Sequence, residues 1–134
     1  MRFFHIADVH LGMQPDKGCA WSEDRGREIW ESFKRIIQQA GRENAGLFLI
    51  AGDLFHRQPL TRELKEVNAL FASVPHVNFV LIAGNHDYIK RERPSQRISW
   101  ADNVFWLEGD EISYVDFPAL GTRVWGLSYH SREI

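Results

Sequence analysis

The fold is decided by residues 47–56, which read LFLIAGDLFH. Five apolar residues without polar alternation are followed directly by Gly52 and Asp53. Such a short, continuous apolar run is typical of a strand that is buried on both faces of a parallel sheet. We therefore predict a strand at 47–51 whose carboxyl end carries a glycine and a carboxylate.

Two similar apolar runs, at residues 3–7 and 79–83, lie on either side of it in the sequence. A helical pattern separates each neighbouring pair of runs, and this alternation predicts a βαβαβ unit with a parallel sheet. The helix signals are Ser22 and Thr61 as N-caps, and Gly41 and Pro75 as stops. The apolar helix positions are Ile29, Trp30, Phe33, Ile36, Ile37 and Ala40 in the first helix, and Leu64, Val67, Leu70 and Phe71 in the second.

The chain changes character after Asp87. Residues 90–97 form a polar, basic, proline-containing stretch that we predict to be a loop, and no helical pattern follows it. Short apolar segments then occur at 104–107, 112–117 and 124–129, separated by glycine-containing turn signals. These segments predict meandering strands with antiparallel pairing.

Composition narrows the class of protein. The chain has 134 residues, 44% of them hydrophobic and 25% charged, which is typical of one soluble globular domain. No apolar run approaches the ~20 residues that span a bilayer, so we expect no membrane association and a cytoplasmic location. Cys19 is the only cysteine, which excludes an internal disulfide and a thiolate zinc cluster. The net charge of −2 does not by itself indicate a nucleic-acid binder.

Each apolar run ends in groups that bind metals or phosphates. The ends read ADVH at 7–10, AGD at 51–53 and AGNHD at 83–87. Because the carboxyl ends of parallel strands meet at one edge of a sheet, we expect these side chains to converge. Any one of these aspartates alone would be read as a helix cap or turn former, but three such ends together indicate a site. Carboxylate, carboxamide and imidazole ligands suit Mn²⁺, Fe²⁺ or Zn²⁺, and we predict that Asp53 bridges two ions.

The motifs DVH, GDLFH and GNHD, in this order, resemble the first three signature motifs of the calcineurin-like metallophosphoesterases. GDLFH, and LG after DVH, look most like the SbcD branch of DNA repair nucleases. The resemblance implies an α/β fold, a β-sandwich flanked by helices, of which residues 1–134 are the N-terminal portion of a single nuclease domain. It also implies two divalent ions, Mn²⁺ first among them, with DNA as substrate, a homodimer, and a coiled-coil ATPase of the SbcC type as partner.

The resemblance implies roles for individual residues. Asp8 and His10 would hold the first ion, Asp53 would bridge, and Asn85 would hold the second ion. His86 matches the catalytic imidazole of the family, and His56 takes a supporting catalytic role. The family completes its site with three later histidines that have no matching motif here. His130 is the sole candidate for a late ligand, and the simplest explanation is a chain that ends before the remaining ligands.

Three functions stay open on the sequence. The first is a metal-dependent DNA exonuclease or endonuclease, with Arg57 and Arg91 as candidate phosphate contacts, although solvated surface charge explains these residues equally well. The second is a small-molecule phosphodiesterase or a phosphatase on the same scaffold; His56, where phosphatases have Asp, argues against the phosphatase. The third is a non-catalytic module that dimerises or assembles through the apolar face of the second helix, a face that core packing explains equally well.

Overall fold

A four-stranded parallel sheet forms the centre of the computed structural model, which describes residues 1–130. In spatial order its strands are β1 (Phe3–Ile6), β2 (Leu47–Ala51), β3 (Asn78–Ile82) and β4 (Val104–Trp106). Two helices, α1 (Ser22–Arg42) and α2 (Thr61–Ala72), connect the first three strands. The predicted βαβαβ unit is therefore confirmed, with strand ends shifted by one residue at most.

The two faces of the sheet pack against different partners. Alternate residues of β2, Phe48 and Ile50, join the core cluster that contains the apolar faces of both helices. Leu47 and the half-buried Leu49 belong to a second cluster on the opposite face, together with Val80 of β3. Burial on both faces explains why the strands read as continuous apolar runs.

The apolar face of α2 belongs to this core. Leu64, Val67 and Phe71 are buried, and the Phe71 ring stacks on Phe79 of β3 with a centroid distance of 4.1 Å. Leu70 is half-buried and packs against the same cluster. Core packing therefore accounts for this face, and the prediction of an assembly surface on it is wrong.

The helix ends differ slightly from the sequence signals. Trp21 and Leu60 occupy the N-cap positions, so that Ser22 and Thr61 are the first helical residues. Gly41 lies within α1 and does not stop it; a Cβ there would come within 2.5 Å of Val74 Cγ1. The glycine thus permits close approach of the chain after α2. Among residues 1–130, no helix combines the length and apolar character needed to cross a membrane.

The direction of β4 corrects the sequence analysis. β4 pairs with β3 in parallel, with Phe79 opposite Val104, so the antiparallel prediction for this segment is wrong. A parallel neighbour needs a long crossover connection, and here that connection contains a short helix, α3 (Pro94–Arg97), where a loop was predicted. The buried Asn103 amide anchors the end of the connection by donating to the carbonyls of Phe71, Val74 and Val77.

A hairpin covers the second face of the sheet. Its strands, β5 (Ser113–Phe117) and β6 (Thr122–Gly126), pair antiparallel as predicted. Gly121 supplies the turn with a φ of 58°. The inward side chains of the hairpin, including Phe117 and Val124, pack on the sheet. Helices on one face of the parallel sheet and a hairpin on the other confirm the predicted α/β class.

Candidate metal centre

The carboxyl ends of β1 and β2 bring three predicted ligands together. Asp8, His10 and Asp53 each present an oxygen or nitrogen within 4.8 Å of the other two. We call this set the carboxylate cluster. Asp8 is exposed and Asp53 is buried, so the cluster runs from the interior to the surface.

The backbone at these residues departs from ordinary preferences. Asp8, His10 and Asp53 have φ values of 56°, 56° and 51°, in the left-handed region that side chains with a Cβ disfavour. Gly52, with φ of 92°, makes the sharp turn before Asp53. The two segments hold each other: the N–H of Asp8 donates to Gly52 O at 3.2 Å, and that of His10 to Asp53 O at 3.0 Å. Strain maintained by surrounding contacts is typical of functional sites.

A second set of side chains shares His10. The ring nitrogens of His10, His56 and His86 lie within 4.8 Å of one another, and we call this the imidazole cluster. His10 Nδ1 and His56 Nδ1 are 3.3 Å apart, and the His56 and His86 rings stack at 5.1 Å. Burial lowers the pKa of His56, and the neighbouring side chains of His10, His86 and Arg57 lower it further. A lowered pKa favours the neutral imidazole, which is the form that binds metals.

Asp87 joins the loop after β2 to the loop after β3, and the sequence analysis gave it no role. Its buried carboxylate accepts backbone hydrogen bonds from Gly84 at 2.8 Å, Phe55 at 3.0 Å and Asp53 at 3.2 Å. Burial raises the pKa of Asp87, while these three donors act in the opposite direction. The available sequence signal was its position, because a tight Gly-Asn turn does not need a carboxylate two residues after it.

Gly84 lets the two loops touch. A Cβ on this residue would overlap the carboxylate of Asp53 and the backbone around it. The N–H of His86 donates to Asp53 Oδ1 at 2.9 Å. A carboxylate has about four acceptor positions, so this bond leaves Asp53 able to bind cations as well. The close approach fixes Asp53 and the His86 backbone as one unit.

The remaining predicted site residues are placed differently. Asn85 is exposed at the tip of the same loop, between Gly84 and His86. Arg57, next to His56, forms an ion pair with Glu63 at 2.8 Å. Arg91 is exposed and forms no ion pair within residues 1–130.

His130 does not belong to either cluster. Its Nε2 lies 3.3 Å from both the Glu108 carbonyl and Asp110 Oδ1, and its Nδ1 is 3.0 Å from the Ser128 carbonyl. Within the described residues it makes no group with other metal-binding side chains. Within residues 1–130, His130 therefore lies outside both candidate metal clusters.

The donor set fits divalent ions of the kind predicted. Carboxylate oxygens and imidazole nitrogens suit Mn²⁺, Fe²⁺ and Zn²⁺, and the two clusters that share His10 offer five such side chains. Asp8, His10 and Asp53 are the side chains that would hold an ion in the carboxylate cluster. Their roles as individual ligands stay predictions.

Comparison with known proteins gives the family. The family model described as "Calcineurin-like phosphoesterase" matches residues 1–131. The chain belongs to this family. Members of the calcineurin-like phosphoesterase family are hydrolases that use divalent metals, in agreement with the motifs and the geometry above.

Curated relatives of this family member include proteins of DNA repair. The DNA double-strand break repair protein Mre11 of Archaeoglobus fulgidus is 39% identical over 95 residues, which cover 69% of this chain and 20% of that protein. The protein of the same name from Methanocaldococcus jannaschii is 29% identical over 138 residues, covering 98% of this chain and 36% of that protein. The uncharacterized metallophosphoesterase YhaO of Bacillus subtilis is 29% identical over 147 residues, covering 100% of this chain and 35% of that protein. The chain thus spans only a fifth to about a third of the length of these relatives.

Proposed function

We propose that this chain carries the first part of a nuclease site of the SbcD type, which hydrolyses phosphodiester bonds at DNA ends with divalent metal ions. The observation that carries the proposal is the convergence of Asp8, His10 and Asp53 with the imidazole cluster at one sheet edge. The motifs that supply these residues come from three separate strand ends. A phosphoesterase needs these side chains close together, whereas packing of the core does not require it.

Each residue of the site has a proposed task. Asp8 and His10 would hold the first ion, Asp53 would hold both ions, and Asn85 would hold the second. When bound, the ions activate water and offset the negative charge of the phosphate.

The two other histidines act on the substrate. His86, exposed and fixed through its backbone N–H to Asp53, donates a proton to the leaving oxygen or stabilises the transition state. His56, whose ring stacks on His86, keeps that imidazole in place.

Several features support DNA as the substrate. Asp8 and His86 are exposed, which leaves the site open to a polymer in the described part of the chain. Lys90, Arg91 and Arg93 are exposed on the segment that follows the GNHD loop, where cations can contact a phosphate backbone. The curated Mre11 relatives are named as DNA double-strand break repair proteins. These features favour a nuclease over a small-molecule phosphodiesterase.

The proposal extends to cofactor, partners and setting. We propose Mn²⁺ as the working ion, a homodimer, an SbcC-type ATPase as partner, and a cytoplasmic location, with residues 1–134 as the N-terminal portion of one nuclease domain. The support for these is the likeness to the SbcD branch. Because the α2 face is in the core, any dimer must use another surface.

Cleavage of a linear duplex tests the proposal. With Mn²⁺ present, His86→Gln should slow cleavage by about 100-fold, the usual contribution of a general acid or base. His76→Gln is the matched control, because His76 is exposed and its ring hydrogen-bonds, within residues 1–130, to Gly41 O near the C-terminal end of α1. Equal rates for the two variants would contradict the role of His86. Hydrolysis of a nitrophenyl phosphodiester without cleavage of DNA would favour the small-molecule alternative.

A further inference from the structure

Glu63 is a buried carboxylate without a role in the proposed chemistry. Only 9% of its side chain is exposed. Its Oε1 accepts from the Leu60 N–H at 2.8 Å, which caps α2, and from Arg57 Nη1 at 2.8 Å. Its Oε2 accepts from Arg57 Nη2 at 3.3 Å. The two oxygens thus grip the end of the Arg57 guanidinium as a fork.

Arg57 lies against the loops that carry the site. It follows His56 directly, and it also approaches the glycine of the DVHLG motif. A Cβ added at Gly12 would sit 3.5 Å from both Arg57 Nη2 and Glu63 Oε2, so the ion pair lies close to the backbone of that loop. The guanidinium is therefore beside the site, yet 48% of the Arg57 side chain remains exposed.

One edge of the guanidinium stays open. A guanidinium has five N–H donors in a fixed plane. Arg57 Nη1 uses its donors on Gln58 O, at 3.1 Å, and on Glu63. Nη2 uses one donor on Glu63. The Nε–H and the second N–H of Nη2 make no hydrogen bond within residues 1–130, and together they form an edge that matches two oxygens of a phosphate.

We propose that Glu63 is a positioning residue, which holds Arg57 so that its free edge binds the non-bridging oxygens of a backbone phosphate beside the metal centre. This inference rests on the proposed phosphodiester substrate and adds a specific phosphate contact to it. Glu63 offsets the positive charge of Arg57. Phosphate binding therefore depends on the direction in which the Nε–H and the free N–H of Nη2 point. A guanidinium released from Glu63 keeps its charge and loses that direction.

The first test measures phosphate binding at Arg57 directly and does not require catalysis. The Nε–H resonance of Arg57, assigned by its loss in Arg57→Lys, is followed by NMR while inorganic phosphate is titrated into the metal-free protein. We expect a saturable shift in the wild type, an affinity about five-fold weaker in Glu63→Gln, and an unchanged affinity in Glu66→Gln, which alters an exposed carboxylate on the same helix. An Arg57 resonance that phosphate does not shift, or equal affinities in all three proteins, would overturn the proposal.

The second test separates positioning from support of the fold. In Mn²⁺-dependent cleavage of a duplex, Glu63→Gln should raise KM about five-fold and change kcat less than about two-fold. In an Arg57→Ala background the same substitution should leave KM unchanged, because the group that Glu63 positions is absent. An equal effect of Glu63→Gln with and without Arg57 would overturn the positioning role. A wild type that cleaves no DNA would contradict the proposed function alone, because the phosphate titration decides the Arg57 contact independently.

Discussion

Charged residues at the carboxyl ends of β1–β3 differ in burial and backbone conformation from those on the β5–β6 hairpin. On the hairpin, Asp116 and Arg123 face solvent and pair at 2.6 Å in regular strand geometry. At the sheet edge, Asp53 and Asp87 are buried, and Asp8 adopts a left-handed backbone conformation. The hairpin residues keep ordinary strand conformations and expose their charges. The residues at the sheet edge do not, and they are held by hydrogen bonds between segments that are far apart in the sequence. That contrast is expected where a fold holds a functional site.

The largest stability difference between the two regions should come from Asp87. Asp87→Ala leaves the N–H groups of Asp53, Phe55 and Gly84 without their acceptor, and we expect a loss of about 4 kcal/mol in the free energy of unfolding. Urea denaturation of the metal-free protein measures it. Asp116→Ala is the control on the hairpin and should change stability far less. Similar losses for the two variants would remove the contrast between the regions.

Glycine substitutions give the next largest difference. Gly84→Ala places a methyl group against the Asp53 carboxylate and should cost about 3 kcal/mol through overpacking. Gly121→Ala, in the hairpin turn, meets open space and has only its φ of 58° to oppose it, so we expect a cost of about 1 kcal/mol. Thermal unfolding of both variants tests the order. If Gly121→Ala lowers stability as much as Gly84→Ala does, then Gly84 is not required for the close approach of the loops after β2 and β3.

Strain at Asp8 predicts a gain in stability at the expense of metal binding. Asp8→Gly relieves the left-handed conformation at φ 56° and should raise stability by about 0.5 kcal/mol. The same variant should lose Mn²⁺ affinity. Ala7→Gly, one residue earlier, has no such strain to relieve and should lower stability by about 0.5 kcal/mol. A loss of stability in Asp8→Gly would show that the aspartate is unstrained there.

The smallest effect concerns the pKa of Asp116. Hydrogen bonds from the Arg123 guanidinium hold this pKa below the usual aspartate range. The pair therefore favours the folded state above the ordinary aspartate pKa, and this contribution is lost as the pH falls through the lowered value. An NMR titration of the Asp116 carboxyl should show a midpoint that returns to the ordinary range in Arg123→Gln. An unchanged midpoint would mean that the ion pair is not formed in solution.

The sequence predicted the sheet edge well because its signals are local. Strands buried on both faces must be continuous apolar runs, and the polar groups that end them are adjacent in sequence. The direction of β4 could not be predicted, because three residues carry no information about their neighbour in space. Only the intervening α3 crossover makes the parallel pairing possible.

The supporting residues of the site were missed for a different reason. Asp87 accepts from Asp53 and Phe55, which are 34 and 32 residues away and are brought close only by strand pairing. The ion pair of Glu63 with Arg57 likewise requires the turn before α2 to be folded. His130, the sole candidate for a late ligand in the sequence, lies 3.3 Å from the carbonyl of Glu108, 22 residues away. Side chains that act on backbone groups leave no repeating pattern in a sequence.

Mn²⁺ binding by calorimetry tests the central claim most directly. The wild type should bind Mn²⁺, Asp53→Ala should lose affinity by about 100-fold or more, and Asp116→Ala should bind as the wild type does. That result would place the metal at the sheet edge where the three strand ends meet. Wild-type affinity in Asp53→Ala, or no binding to the wild type, would contradict a metal centre built on Asp53.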